Sequence, residues 1–334
     1  MLSALLAAVL FGASTPAAKL CLDRLGPLTL AGALYLGAAA ATLPFALRSH
    51  FRVRSRSNLL RLTGAVVLGG VVGPVLMLLA LQRAGAASVS LWLSLESVFT
   101  ALLGRLFFHE YLGSRAAAAA LLVTVASIVL AVPHGIAGSG AALLAATAGL
   151  CWALDNNFTA VIDELSPAQI TFAKGLVAGS LSFGLGALLE GAPAITSLSA
   201  GLGVGAIGYG VSLVLYVSAA QQIGATRSQL VFSTAPLWGA ALAWAIAIDR
   251  IGTEQLVAAA LMAFGFVLLG RERHAHPHVH PRQRHRHAHT HDDGHHDHEH
   301  LGLPAGVEHT HEHEHDELSH AHPHSPDLHH RHRH

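Results

Sequence analysis

Residues 85–114 read GAASVSLWLSLESVFTALLGRLFFHEYLGS, and residues 224–253 follow the same pattern as GATRSQLVFSTAPLWGAALAWAIAIDRIGT. The ungapped alignment places matching residue types opposite each other at four positions: Gly85 and Gly224, Glu110 and Asp249, Gly113 and Gly252, and Ser114 and Thr253. Both stretches contain an apolar run long enough to cross a bilayer, for which about 20 residues suffice. A pattern that returns in this way indicates that the chain consists of two related halves.

The sequence outside these two stretches is equally apolar. Of the 334 residues, 52% are hydrophobic and only 12% are charged, whereas a soluble globular domain carries roughly 25% charged residues. Ten apolar runs have the length of a membrane-spanning helix: Leu2–Leu20, Leu28–Leu47, Leu59–Leu81, Ala86–Phe108, Ser114–Val132, Ala141–Ala160, Pro167–Leu189, Leu198–Ala220, Ala225–Ile248 and Thr253–Gly270. The sequence therefore predicts an all-α membrane protein of ten transmembrane helices, with the lipid bilayer as its partner.

The ten predicted helices divide into two sets of five. At the starts of the halves, residues 11–13 (FGA) align with residues 152–154 (WAL). Because each half holds an odd number of helices, the halves cross the membrane in opposite orientations, as in the inverted repeats of many secondary transporters. We predict a first five-helix repeat over residues 1–132, a second over residues 133–270, and a separate tail over residues 271–334.

A basic loop predicts how the bundle is oriented. The connection between the second and third predicted helices contains five arginines: Arg48, Arg52, Arg54, Arg56 and Arg61. Short loops rich in lysine and arginine remain in the cytoplasm. Ten crossings then place both the N-terminus and the C-terminus in the cytoplasm, in a multi-pass protein of the inner membrane.

Three segments carry a family resemblance: FGASTPAAK in the first helix, ASVSLWLSLESVFTALLGRLFFHEYLG in the fourth, and CWALDNNFTAVI in the sixth. They resemble the drug/metabolite transporter superfamily, specifically its EamA-type permeases. The fourth helix of that family commonly reads leEPvfta, and here residues 95–101 read LESVFTA, with Ser97 in place of the proline, while the second half retains Pro236. The resemblance covers residues 1–270. It implies a transporter with two five-helix repeats and leaves the substrate open among metabolites, amino acids, drugs and nucleotide sugars.

Polar side chains inside the predicted helices are few, and such residues usually face the bundle interior or a water-filled path. Glu96 and Asp155 lie near the middles of the fourth and sixth helices. Each is either a contact for a proton or a substrate amine, or one half of a structural ion pair. Asn156 is a further candidate, although a bond between helices is its favoured role. Trp92 and Trp152 are predicted to line the substrate cavity.

Other charged residues also lie within or at the ends of the predicted helices. Lys174 lies a third of the way along the seventh helix. Glu110 and Asp249 occupy helix ends, where unpaired backbone groups favour a capping or loop-pairing role.

The tail is unusually rich in histidine, since residues 274–334 contain 23 of the 26 histidines. Imidazole is the commonest protein ligand for metals and suits zinc, copper, nickel and iron better than magnesium or calcium. We predict that the tail is disordered without a ligand and binds a divalent transition metal such as Ni, Co or Zn. The predicted ligands are His274, His276, His278, His280, His285, His287, His289, His291, His295, His296, His298, His300, His309, His311, His313 and His315. A pH-responsive arm and a tail without function are the alternatives.

The favoured function is the export of a small organic metabolite by alternating access, driven by a proton or by the solute gradient. The alternative is a divalent metal exporter that collects ions with its tail. Its weakness is that His50, His109 and His134 lie in loops or at helix ends. A bundle that only anchors a metal-storing tail ranks last, because ten helices exceed what an anchor needs. No sequence motif indicates an enzyme, a required cofactor or nucleic-acid binding, and the oligomeric state stays open.

Overall fold

The computed structural model describes most of the chain before residue 272 and four short segments beyond it. The described residues are 2–48, 51–108, 113–131, 135–162, 164–223, 231–271, 274–280, 283–289, 309–315 and 318–324. The chain divides into a helical unit and a smaller unit that begins at Arg273. Each unit is described by itself.

The helical unit is a bundle of apolar helices. They are α1 (Leu2–Leu22), α2 (Pro27–Ala46), α3 (Arg56–Arg83), α4 (Ala86–Trp92 and Leu95–Phe108), α5 (Ser114–Ala131), α6 (Gly135–Thr159), α7 (Pro167–Leu189), α8 (Ile195–Gly205, Ala206–Val211 and Ser212–Ile223), α9 (Ala235–Ala245) and α10 (Thr253–Gly270). Within the described residues, eight helices are long and apolar enough to span a bilayer, and α6 and α9 are not among them. The prediction of an all-α membrane bundle is thus confirmed for the helical unit, while the number of ten spans stays a prediction.

Irregular segments recur at equivalent places in the two halves. A π-helical segment, Ala65–Val72, interrupts α3, and another, Ala206–Val211, interrupts α8. The alignment that pairs Gly85 with Gly224 also pairs Gly69 with Gly208, which lie inside these two segments. Because the alignment pairs the two π-helical segments, α3 and α8 are equivalent helices of the two halves. Such segments often occur at functional sites.

The contacts between helices also relate the two halves to each other. Equivalent helices pack against each other in the pairs α2 with α7, α4 with α9, and α5 with α10. Helix α1 packs on α8 and α9, and correspondingly α6 packs on α3 and α4. The two halves therefore interlock around a common centre, and α1 and α6 each pack against helices of the opposite half.

The equivalent helices run antiparallel. At one end of the α2–α7 pair, the Glu190 carboxylate accepts a hydrogen bond from Leu28 N at 2.9 Å. At the other end, Gln169 Nε2 donates to the Ala46 carbonyl at 3.3 Å. In the α4–α9 pair, Asp249 Oδ2 accepts from Ala87 N at 2.6 Å. This bond confirms the predicted capping role of Asp249, because Ala87 N is one of the unpaired amides at the start of α4.

Glycine allows α2 and α7 to approach closely. A Cβ atom at Gly32 would lie 2.4 Å from Phe183 N, and one at Gly186 would lie 2.4 Å from Thr29 Oγ1. Small residues at such contacts are typical of helices packed in a membrane, where close backbone approach supplies van der Waals attraction.

Four segments of the tail pair as strands, and the predicted disorder of the tail without a ligand stays a prediction. Strand β1 (His274–His280) pairs antiparallel with β4 (Leu318–His324), and β2 (Gln283–His289) pairs with β3 (His309–His315). Histidine in every second position is a period-two pattern that suits a strand. In the β2–β3 register, Arg284 lies opposite Glu314 and Arg286 opposite Glu312, and opposite charges across two strands stabilise their pairing.

Candidate functional site

An ion pair lies inside the helical bundle. Lys174 Nζ of α7 donates to Asp155 Oδ2 of α6 at 2.5 Å. The Asp155 side chain is 5% exposed and that of Lys174 is 17% exposed. This geometry fits the alternative role of Asp155 as one half of a structural ion pair. The sequence alone did not indicate that Lys174 is its partner. A search for oppositely charged residues in neighbouring predicted helices would have linked the two.

Asp155 uses only one of its two carboxylate oxygens in this pair. Among the described residues, Asp155 Oδ1 has no hydrogen-bond partner although it is buried. A buried polar atom without a partner costs about 1–3 kcal/mol. Such an atom inside a bundle is therefore a candidate contact for a proton, a water molecule or a ligand.

Glu96 lies beside the ion pair, in the first turn of the second segment of α4. Helix α4 is broken at Leu93 and Ser94, and the Glu96 amide bonds to the Leu93 carbonyl at 3.0 Å. Asn156 Nδ2 of α6 donates to Glu96 Oε1 at 2.8 Å. Asn156 thus joins two helices, as its favoured role predicted, and it does so at a candidate coupling residue. Within the described residues, Glu96 forms no ion pair.

The π-helical segment of α3 closes the site on a third side. The Gly69 carbonyl accepts hydrogen bonds from Tyr35 Oη at 2.5 Å and from Trp152 Nε1 at 3.0 Å. A Cβ atom at Gly69 would lie 2.0 Å from Asp155 Oδ2. Glycine therefore lets the carboxylate lie directly against the backbone of α3. Tyr35 and Gly69 could not be recognised as site residues from the sequence, since neither carries a charge or belongs to a motif.

The two predicted cavity tryptophans differ in their surroundings. Trp152 is 6% exposed and shares the site with Asp155 through the Gly69 carbonyl. Trp92 is fully buried, and its Nε1 donates to the Ser127 carbonyl of α5 at 3.1 Å. These contacts favour a packing role for Trp92 over the cavity wall predicted from the sequence.

The site draws on both halves of the chain. Tyr35, Gly69 and Glu96 come from α2, α3 and α4 of the first half, whereas Asp155 and Lys174 come from α6 and α7 of the second. The cluster contains two carboxylates and one ammonium group. It therefore has the composition to bind a proton or a cationic group between the halves.

No metal site is seen in the helices that the structure describes, since no group of three or more His, Cys, Asp or Glu side chains converges there. Of the predicted metal ligands, His291, His295, His296, His298 and His300 lie outside the described residues, as do His50, His109 and His134 in the helical unit. The other predicted ligands lie in β1, β2 and β3. Glu110 also lies outside the described residues.

Comparison with known proteins agrees with this architecture. One solved crystal structure matches with a TM-score of 0.59 over 80% of this chain and 98% of the matched chain, at 16% sequence identity, which shows a common fold. No curated protein matches the chain significantly. The sequence model of the EamA-like transporter family matches residues 1–132 and 139–271, which cover both halves. The chain therefore belongs to the EamA-like transporter family.

Proposed function

We propose that the protein is a secondary transporter that exports a small organic metabolite by alternating access. The observation that carries this proposal is the buried polar site, in which Glu96 from one half lies beside the Asp155–Lys174 pair from the other. A site between two halves changes its access when the halves move against each other. Glu96 carries the coupling proton or contacts the substrate, and Asp155 and Lys174 hold the α6–α7 side of the site together.

Ten membrane spans in two inverted repeats form part of the proposal. The antiparallel contacts of α2 with α7 and of α4 with α9 support it. A cytoplasmic location for this end of the bundle is supported by Arg48, Arg52 and Arg54 between α2 and α3 and by Arg56 and Arg61 in the first two turns of α3. Both termini would then lie in the cytoplasm, and the protein would reside in the inner membrane.

The tail is proposed to bind divalent nickel, cobalt or zinc in the cytoplasm. Its histidine density favours this role. It also keeps a divalent metal exporter as the second candidate function. The ionisable groups of the central site, Glu96, Asp155 and Lys174, favour an organic substrate, because an ammonium group repels a divalent cation that approaches the carboxylates.

Transport into proteoliposomes separates the two candidates. The full-length protein and a chain ending at Arg273 are compared for uptake of labelled Ni, Co and Zn and of a panel of organic metabolites. Equal organic uptake by both chains is expected, since the proposed path lies in the helices. Metal uptake that depends on the tail, without organic uptake by either chain, would instead establish the metal exporter.

The coupling role of Glu96 has its own test. Glu96→Gln keeps the side-chain volume and the bond from Asn156 but cannot carry a negative charge. We expect it to abolish uptake driven by a pH gradient. Unchanged uptake by this variant would remove Glu96 from the site.

A further inference from the structure

Five aromatic side chains form one continuous cluster next to Glu96. Phe11 of α1 contacts Tyr209 of α8 with ring centroids 5.4 Å apart, and Tyr209 contacts Tyr35 of α2 at 5.7 Å. Phe11 also contacts Phe232 at 5.2 Å, and Phe232 contacts Tyr216 at 4.9 Å. The chain has only 20 Phe, Tyr and Trp residues, so a quarter of them meet at this point.

The rings meet at tilted angles and are not stacked face to face. The four contacting pairs have interplanar angles between 44° and 64°. Tilted rings leave parts of their faces uncovered by one another. Four of the five side chains are only partly buried, and Tyr35 alone is buried. Ring faces carry partial negative charge and attract cations.

A carboxylate lies beside this cluster. The Glu96 carboxylate accepts a hydrogen bond from Asn156 at 2.8 Å, and the adjacent Asp155 lies against Gly69 of α3. Tyr35 in turn bonds to the Gly69 carbonyl, against which the Asp155–Lys174 pair lies. Lys174 is engaged by Asp155, whereas Glu96 has no ion-pair partner among the described residues. Glu96 is therefore a carboxyl group next to the cluster that no ion pair holds among the described residues.

We propose that the substrate is an amphipathic organic monocation, with its ammonium group against Glu96 and its apolar body among Phe11, Tyr35, Tyr209, Tyr216 and Phe232. A cation gains from both the carboxylate and the ring faces. An anion is repelled by the same groups, and the ammonium group of Lys174 beside them is held by Asp155. This inference rests on the proposed transport function and names the substrate class of the same site.

Four small molecules separate the contribution of the positive charge from that of the aromatic ring. Trimethyl(phenethyl)ammonium has both features, butyltrimethylammonium has the charge without the ring, and phenylalanine and 3-phenylpropionate have the ring with a zwitterionic or an anionic head. The quaternary cations do not lose their charge, so leakage of a neutral amine through lipid does not obscure the flux. Counterflow in proteoliposomes of the full-length protein should be fastest for trimethyl(phenethyl)ammonium. Faster counterflow of phenylalanine or of 3-phenylpropionate would overturn the proposal.

Variants assign the effect to the site. Tyr209→Leu removes a ring and should slow trimethyl(phenethyl)ammonium counterflow about tenfold, the size of one desolvated cation–aromatic contact, while Tyr209→Phe keeps the ring and should stay within about twofold of the original. Glu96→Gln should remove the preference for the cation over 3-phenylpropionate. Phe264→Leu is the matched control, since Phe264 is 56% exposed on the helical unit and lies outside the cluster. Equal losses in Phe264→Leu and Tyr209→Leu would refute the site.

A binding measurement in detergent separates this inference from the transport function. Trp152 borders the site, so quenching of tryptophan fluorescence by trimethyl(phenethyl)ammonium is the readout. Quenching without counterflow of any probe would support the cation site and refute transport. Counterflow of other organic solutes without quenching by the cation would refute the site and leave the transporter intact.

Discussion

Gly69→Ala is expected to destabilise the bundle by separating the central ion pair. The added Cβ would lie 2.0 Å from Asp155 Oδ2 and 2.3 Å from Asp155 Cγ, well inside van der Waals contact. The carboxylate cannot yield toward α3, since the backbone of Gly69 is fixed by hydrogen bonds from Tyr35 and Trp152. Asp155 must therefore move away, and its 2.5 Å contact with Lys174 is lost or lengthened.

The magnitude follows from the burial of the pair. Breaking a buried ion pair costs about 3–5 kcal/mol, and alanine in place of a helical glycine returns up to about 1 kcal/mol. The expected net loss of unfolding free energy is about 3 kcal/mol, which for a unit of this size lowers the midpoint of thermal unfolding by roughly 6–12 °C. This is a large effect for the addition of a single methyl group.

The assay is thermal unfolding in detergent, followed by the fraction of protein that elutes as a single species in size-exclusion chromatography. The matched control is Gly203→Ala in α8, where a Cβ atom would meet nothing within 4 Å. The control should keep or raise the midpoint, because alanine favours helix more than glycine does. In an Asp155→Gly background, which removes both the carboxylate and the Asp155 Cβ that would lie 2.6 Å from the added Cβ, Gly69→Ala should cost no more than Gly203→Ala.

Two outcomes would refute this reasoning. One is an equal midpoint for Gly69→Ala and Gly203→Ala, which would show that Asp155 moves without losing Lys174. The other is an undiminished cost of Gly69→Ala in the Asp155→Gly background, which would place the clash elsewhere.

Three further predictions follow from individual contacts. Asp155→Asn and Lys174→Met should each lower the unfolding midpoint more than the Asp155→Asn/Lys174→Met double variant does, because a single change leaves one buried charge unpaired; additive losses in a double-mutant cycle would contradict this. Glu190→Ala should cost about 1 kcal/mol by removing the acceptor for Leu28 N and Thr29 N at the start of α2, and Glu190→Gln should cost less; equal midpoints for the two variants would argue against capping. Trp92→Phe should cost about 1 kcal/mol through the lost bond to the Ser127 carbonyl and leave transport rates unchanged, so a reduced rate at a normal midpoint would restore Trp92 to the cavity wall.

Much of the helical architecture was predictable from residue type alone. The predicted spans of the seventh and tenth helices coincide with the observed α7 and α10, because turn formers and caps adjoin their ends. Ser166, for example, forms a capping box with Gln169 at the start of α7. The period of apolar residues does not show where a helix changes its hydrogen-bond pattern, and so the π-helical segments of α3 and α8 were not predicted.

The candidate site was predictable only in part, for a related reason. Glu96, Asp155 and Asn156 stood out because charged and amide groups are costly in lipid. Tyr35 and Gly69 did not stand out, since tyrosine and glycine are ordinary residues in membrane helices. They matter because the Gly69 carbonyl, inside the π-helical segment of α3, accepts hydrogen bonds from Tyr35 and Trp152 on neighbouring helices.

The sequence by itself determined that the chain resides in a lipid bilayer and that it consists of two related halves. It also determined which charged side chains lie within the membrane-spanning helices. These properties depend on composition, length and spacing, which a linear chain displays directly. Only the tertiary structure decided that Asp155 pairs with Lys174, that Asn156 holds Glu96, that Trp92 packs against α5, and that five aromatic rings gather near a carboxylate. Such pairings depend on which helix faces meet, and a face is chosen by the packing of all helices together.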